Sequence, residues 1–70
     1  IISASRTIAG AGSKVKLRVE PRLIEAYGGQ QGEWKKRVGK IESEQYVFDV
    51  HWYELAGVQY ESKVKHRSDK

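Results

Sequence analysis

Between Tyr46 and Lys65 two runs of alternating apolar and polar residues flank Leu55-Ala56-Gly57. A period of two marks strands, because successive side chains leave opposite faces. Two such runs joined by a short loop ending in glycine make a β-hairpin. No other stretch constrains the fold as much. Tyr46, Phe48, Val50 and Trp52 point to one face; Val47, Asp49, His51 and Tyr53 point to the other. In the second run Val58, Tyr60, Ser62 and Val64 alternate with Gln59, Glu61, Lys63 and Lys65. Register then matters most, since a slip of one residue reverses every side chain. A three-residue loop, Leu55-Ala56-Gly57, sets Trp52 against Tyr60, Val50 against Ser62 and Phe48 against Val64. On the other face it sets Tyr53 against Gln59, His51 against Glu61 and Asp49 against Lys63. A two-residue loop that sets Trp52 against Gln59 and Phe48 against Lys63 is rejected for mixing polar with apolar.

An aromatic sheet face needs a cover, and the chain ahead of the hairpin is read for one. Lys14 to Glu20 alternates strictly, with Val15, Leu17 and Val19 on one side, and predicts a half-buried strand. Pro21 suits the first turn of a helix, so Pro21 to Tyr27 reads as two helical turns, with Leu23, Ile24 and Tyr27 on one face. Gly28 supplies the left-handed stop. Glu33 to Arg37 reads as one more helical turn, with Trp34 as a core anchor. Val38 to Ile41 reads as a short strand, and Glu42 to Gln45 as a turn. Residues 1–13 are rich in Gly, Ala and Ser with little periodicity, and read as a linker or the end of an upstream region; residues 14–70 read as a single domain. The fold expected is α+β: a small twisted antiparallel β-sheet with one or two short N-terminal helices packed on its Phe48/Trp52/Tyr60 face.

Charge and composition bear on the other face. The net charge is +4 and is unevenly spread. Lys14, Lys16, Arg18 and Arg22 form one basic cluster, Lys35, Lys36, Arg37 and Lys40 a second, and Lys63, Lys65, Arg67 and Lys70 a third. Residues 41–61 carry five acids and no Lys or Arg. Such a surface is predisposed to polyanions, nucleic acid first. There is no cysteine, so disulfides and thiolate metal sites are excluded. His51 and His66 lack the spacing of a metal pair, the glycines follow no phosphate-loop pattern, and no run is long enough to span a membrane. The opening Ile1-Ile2, without methionine, reads as a fragment or a processed C-terminal domain.

His51 opposite Glu61, with Asp49, Lys63 and Lys65 near, is a set that can cleave RNA without metal or cofactor. One group removes the 2′-hydroxyl proton, one protonates the leaving 5′-oxygen, and a cation stabilises the phosphorus oxygens. A carboxylate beside His51 would set its tautomer and raise its pKa. Tyr53 adds a stacking or hydrogen-bonding group, and Arg18, Arg22, Lys35 and Lys36 would hold the RNA backbone. The bland alternative is a set of ordinary cross-strand pairs on a solvated face. Two further readings are a non-catalytic basic RNA-binding module and a protein-interaction domain whose acidic stretch meets a basic partner.

Leu23-Ile24-Glu25-Ala26-Tyr27-Gly28-Gly29 followed by Trp34-Lys35-Lys36, and Gly39-Lys40-Ile41-Glu42-Ser43 running into Phe48-Asp49-Val50-His51-Trp52-Tyr53-Glu54, resemble C-terminal toxin domains of bacterial polymorphic toxins of the contact-dependent inhibition and Rhs types. The resemblance covers roughly residues 14–67. It implies an antibacterial ribonuclease toxin, often one that cuts tRNA, borne at the C-terminus of a secreted or cell-surface effector and acting in the target-cell cytoplasm. It also implies a cognate immunity protein and, for some such toxins, elongation factor Tu of the target cell as a partner. Catalytic residues vary in that family, so the resemblance assigns none here.

Overall fold

The computed structural model describes residues 2–69. It consists of β1 (Ser3–Gly10), α1 (Glu20–Tyr27), β2 (Lys35–Glu42), β3 (Tyr46–Leu55) and β4 (Val58–Asp69). The strands form one antiparallel sheet in the order β1-β2-β3-β4. The architecture is therefore α+β, with a single helix among the described residues. The long dimension, 40 Å, is the length of the twelve-residue β4 at about 3.3 Å per residue.

The first departure from the sequence reading is β1, which lies in the stretch expected to be a linker. Its pairing with β2 slips twice, and Ala4 sits at φ 51°. Polar side chains there serve the sheet: Arg37 donates to Thr7 Oγ1 and Ser5 Oγ, both at 2.8 Å. β1 takes the edge of β2 that another strand would have needed. Lys14 to Val19 therefore forms no strand but a series of turns. The Gly10 amide donates to Val15 O at 2.8 Å, and the Val15 amide donates to Ser13 Oγ at 3.0 Å. Leu17 is buried and Val15 is left 59% exposed. Alternation here meant one inward leucine on a turn, not a sheet face.

Gly10 carries that reversal at φ 84°, and a Cβ there would collide with the backbone of Trp34 and Lys35. Neither obstacle is a side-chain tip that can swing away. Gly10→Ala is expected to lower the unfolding free energy by about 2 kcal/mol, read by urea denaturation. A loss under about 0.5 kcal/mol would mean the reversal tolerates a side chain.

α1 begins one residue before Pro21, as proline's fixed φ favours, and closes with the Gly28 amide donating to Ile24 O at 2.8 Å. Glu20 Oε2 accepts from the amides of Gly32 and Trp34, at 3.0 and 3.2 Å, tying the helix start to the approach to β2. Residues 33–37 are not helical. The Glu33 carboxylate accepts from the Gln30 amide and closes a turn, so the chain runs from Trp34 straight into β2. β2 is also longer than the Val38–Ile41 strand expected.

The hairpin register is corrected too. Its loop is the two-residue Ala56-Gly57, both left-handed at φ 51° and 79°, with Leu55 opposite Val58. That is the twist two-residue hairpin turns prefer. Tyr53 then pairs with Tyr60, not with Gln59. The pairs foreseen for a two-residue loop, Trp52/Gln59 and Phe48/Lys63, do not form: Gln59 falls opposite Glu54 and Lys63 opposite His51, and bulges shift the register twice. Glu61 sits at φ 53°, and Glu61 and Ser62 together face Trp52 alone. His51 falls opposite Lys63 and Val50 opposite Val64; after a second slip Asp49 falls opposite His66 and Phe48 opposite Arg67. The expected pairs His51/Glu61 and Asp49/Lys63 do not form.

The faces are exchanged as a result. The core cluster joins Ala9, Leu17, Leu23 and Trp34 with Val19, Ile24, Tyr53, Leu55 and Tyr60. Helix α1 thus meets the sheet on the Tyr53/Leu55 side, with Tyr60 but without Phe48 or Trp52. Trp34, fully buried, is the anchor; its ring lies 5.1 Å from Tyr60 and 6.0 Å from Tyr27, and its Nε1 donates to Gly28 O at 2.9 Å. Trp52 is buried to 3% on the opposite face, where Gly39 leaves room for its ring and for Ile2. A strand with both sides covered reads as amphipathic only if one side is mistaken for solvent.

Candidate functional site

The face expected to lie open to RNA is the one α1 sits on. The helix covers its Tyr53/Leu55 end and leaves the His51/Asp49 end uncapped. At that boundary lies a cavity of about 120 Å³. His51, Tyr53, Glu61, Lys63 and Lys65 of the hairpin line it, with Lys36 from β2 and Arg22 from α1. The bulges achieve this. Removing one residue from alternation at Glu61 and another at Lys65 keeps His51, Lys63 and Lys65 around one hollow although the plain register is lost. Lys36 stands opposite Tyr53 on β2 and lies 5.8 Å from the centre of its ring.

Seven of the residues singled out from the sequence meet here, and three do not. Asp49 lies one step along β3, in a neighbouring cavity that His51 also lines. Lys35 is on the opposite face, paired with Glu54 at 3.5 Å. Arg18 stands exposed on the turns before α1 and lines neither cavity. Arg6, Lys40 and Tyr27 belong to the surroundings and were not singled out. Arg6 was hidden in the stretch read as a linker, and its reach to His51 depends on β1 joining the sheet.

Glu61 does not orient His51. Arg22 grips it with both guanidinium nitrogens, at 3.0 and 2.9 Å, and the Tyr27 hydroxyl donates to Oε2 at 2.7 Å. The Arg22 hydrogen bond, then that of Tyr27, hold its carboxyl down to about 2. The same contacts raise Arg22 and Tyr27 above their usual values. Glu61 is thus an anion that positions Arg22 at the rim and fastens α1 to β4. A carboxyl lowered on folding stabilises the fold above its unfolded value of 4.5, and loses that contribution as pH falls towards 2. In Arg22→Ala the Glu61 titration followed by NMR is expected to move up towards 4.5. A midpoint left near 2 would show that the ion pair is not its cause.

His51 is half-buried, and its Nδ1 is buried with no hydrogen-bond partner among the described residues. Its pKa is lowered, by burial first and then by Lys36 and Lys65; Asp49 opposes this and Arg6 adds to it. The expected raised pKa is therefore reversed: burial, Lys36 and Lys65 outweigh Asp49, and the carboxylate expected across the strands is not there. The imidazole is neutral at pH 7, with a lone pair free to take a proton. Four cations, Arg22, Lys36, Lys63 and Lys65, line the same hollow with one anion already neutralised. That suits a phosphodiester. Among the described residues no three His, Cys, Asp or Glu side chains gather as a metal site requires, and no helix is long and apolar enough to cross a membrane.

No protein family, curated protein or solved structure matches this chain.

Proposed function

We propose that this domain is an endoribonuclease that needs no metal, with structured RNA as substrate and tRNA the first candidate. The observation that carries the reading is the meeting of a neutral, half-buried His51 with Lys36, Lys63 and Lys65 around one cavity. His51 takes the proton of a ribose 2′-hydroxyl. The freed oxygen attacks the adjacent phosphorus, forming the 2′-oxygen–phosphorus bond and breaking the bond to the 5′-oxygen. The leaving oxygen takes a proton from the Lys63 ammonium, which lies opposite His51. Lys36 and Lys65 stabilise the charge gathering on the phosphorus oxygens. Arg22, held by Glu61, anchors the flanking phosphate. The products are a 2′,3′-cyclic phosphate and a 5′-hydroxyl end.

The toxin setting belongs to the same proposal: a domain carried by a secreted or surface effector, acting in the target-cell cytoplasm, opposed by an immunity protein and aided by elongation factor Tu of the target cell. The test is to incubate the domain with tRNA in EDTA, with and without cell extract, and to look for fragments ending in cyclic phosphate. Intact RNA in both arms would sink the ribonuclease reading. A second reading has one observation of its own: among the described residues no carboxylate or carbonyl bonds His51 Nδ1 to fix the ring. That favours a basic module that binds RNA by charge and stacking. It predicts salt-sensitive binding with no product.

A further inference from the structure

His51 is a shared wall. Beyond it, away from Lys63, lies a second cavity of about 270 Å³, more than twice the first. Three neighbouring strands build it, since the sheet order places β1, β2 and β3 side by side. Register sets Val38 between Arg6 and His51, and Lys40 opposite Asp49. Its chemistry differs from that of the first cavity. Val38, 6% exposed, and half-buried Ile8 give it an apolar floor. Gly39 would direct a Cβ to the opposite face, towards Ile2 and Trp52, so on this side it offers only backbone. Arg6 and Lys40 supply positive charge. Asp49 is half-buried, yet it makes no hydrogen bond or ion pair with any described residue.

Unlike His51 Nδ1, the Asp49 oxygens are not buried, so they stand open to donors from a ligand. The carboxylate accepts only, and its two oxygens lie side by side. A ligand edge with two adjacent N–H groups satisfies both at once. Among the RNA bases guanine has that edge, in its ring N–H beside its exocyclic amino group. Adenine, cytosine and uracil each place an acceptor next to their donor, and that acceptor would face an anionic oxygen. The apolar floor suits the face of a planar ring, and Arg6 and Lys40 suit the phosphate that accompanies it.

We propose that this second cavity is a nucleobase subsite selective for guanine, with Asp49 reading the base and the ribose of that nucleotide lying beside His51. The proposal rests on the RNA reading above and gives Asp49 the choice of the nucleotide that is cut.

Amide chemical shifts of the labelled domain, titrated with the 3′-monophosphates of guanosine, adenosine, cytidine and uridine, test it without depending on activity. Guanosine monophosphate is expected to shift residues 38–40 and 49, with a dissociation constant about tenfold below the other three. Asp49→Asn is expected to keep a dispersed spectrum and the shifts at 36 and 63–65, and to lose the preference. If that variant does not fold, the four-nucleotide comparison on wild type decides alone. Equal affinities, or shifts confined to 36 and 63–65, would overturn the subsite while leaving the phosphate site standing. No shift with any nucleotide or with tRNA would remove the RNA reading and the subsite together.

Discussion

His51→Ala is expected to lower the rate of RNA cleavage by about a hundredfold to ten-thousandfold, the range general-base catalysis supplies. The measurement is single-turnover cleavage of tRNA in EDTA, wild type beside variant, with folding checked by circular dichroism. An unchanged rate would take His51 out of the mechanism. The pH dependence gives a second, independent handle. A base must be neutral to act, and burial with Lys36 and Lys65 holds His51 below its ordinary value of 6.5. The acid limb of kcat/KM should therefore fall below pH 6.5. Replacing Lys36 and Lys65 with glutamine removes two of the causes and should move the limb upwards, towards 6.5. The linkage to stability has a fixed sign as well. A histidine lowered on folding favours the native state above its unfolded pKa of about 6.5 and loses that contribution as pH falls from there through its lowered folded value. A limb above 6.5 in wild type would contradict the environment seen around the imidazole.

Trp34→Ala should be the most damaging core substitution. The side chain is fully buried, its Nε1 donates to Gly28 O, and its ring meets Tyr60 and Tyr27. Removing such a side chain costs about 3–5 kcal/mol. A domain of this size has on the order of 4–10 kcal/mol in all. The variant should therefore lose about a third of that stability at the least and all of it at the most, read as the fall in its urea midpoint. Trp34→Phe keeps most of the packing and loses the Gly28 hydrogen bond, so it should fall between the two. A Trp34→Ala variant that loses under about 1 kcal/mol would show that α1 and the hairpin hold together without the indole. Activity should follow stability in this series, because Arg22 reaches the cavity only while α1 is docked.

The contrast between those two residues shows where sequence reading succeeded and where it failed. Trp34 is a large apolar side chain among charged neighbours, and it could be read as an anchor without knowing what surrounds it. The surroundings of His51 could not be read that way. Its partner across the sheet depends on a left-handed Glu61, and nothing local announces that residue as the place where β4 bulges. The linker reading of residues 1–13 failed for a related reason. Ser5 and Thr7 look like loop residues until Arg37, thirty residues on, needs acceptors. Lys14 to Glu20 had the right period for a strand, but no sheet edge was left for it to join.

The sequence by itself determined the strands of the hairpin, the helix from Pro21 onwards with its glycine stop, and the net basic charge of the chain. These follow from side-chain period, proline and glycine geometry and charge, all of which are local. Only the tertiary structure decided which face α1 covers, that His51 meets Lys63 rather than Glu61, and that Asp49 lines a cavity of its own. Two bulges and an edge strand set those outcomes. Each is a balance of long-range pairing against backbone strain, and that balance is struck between residues far apart in the chain.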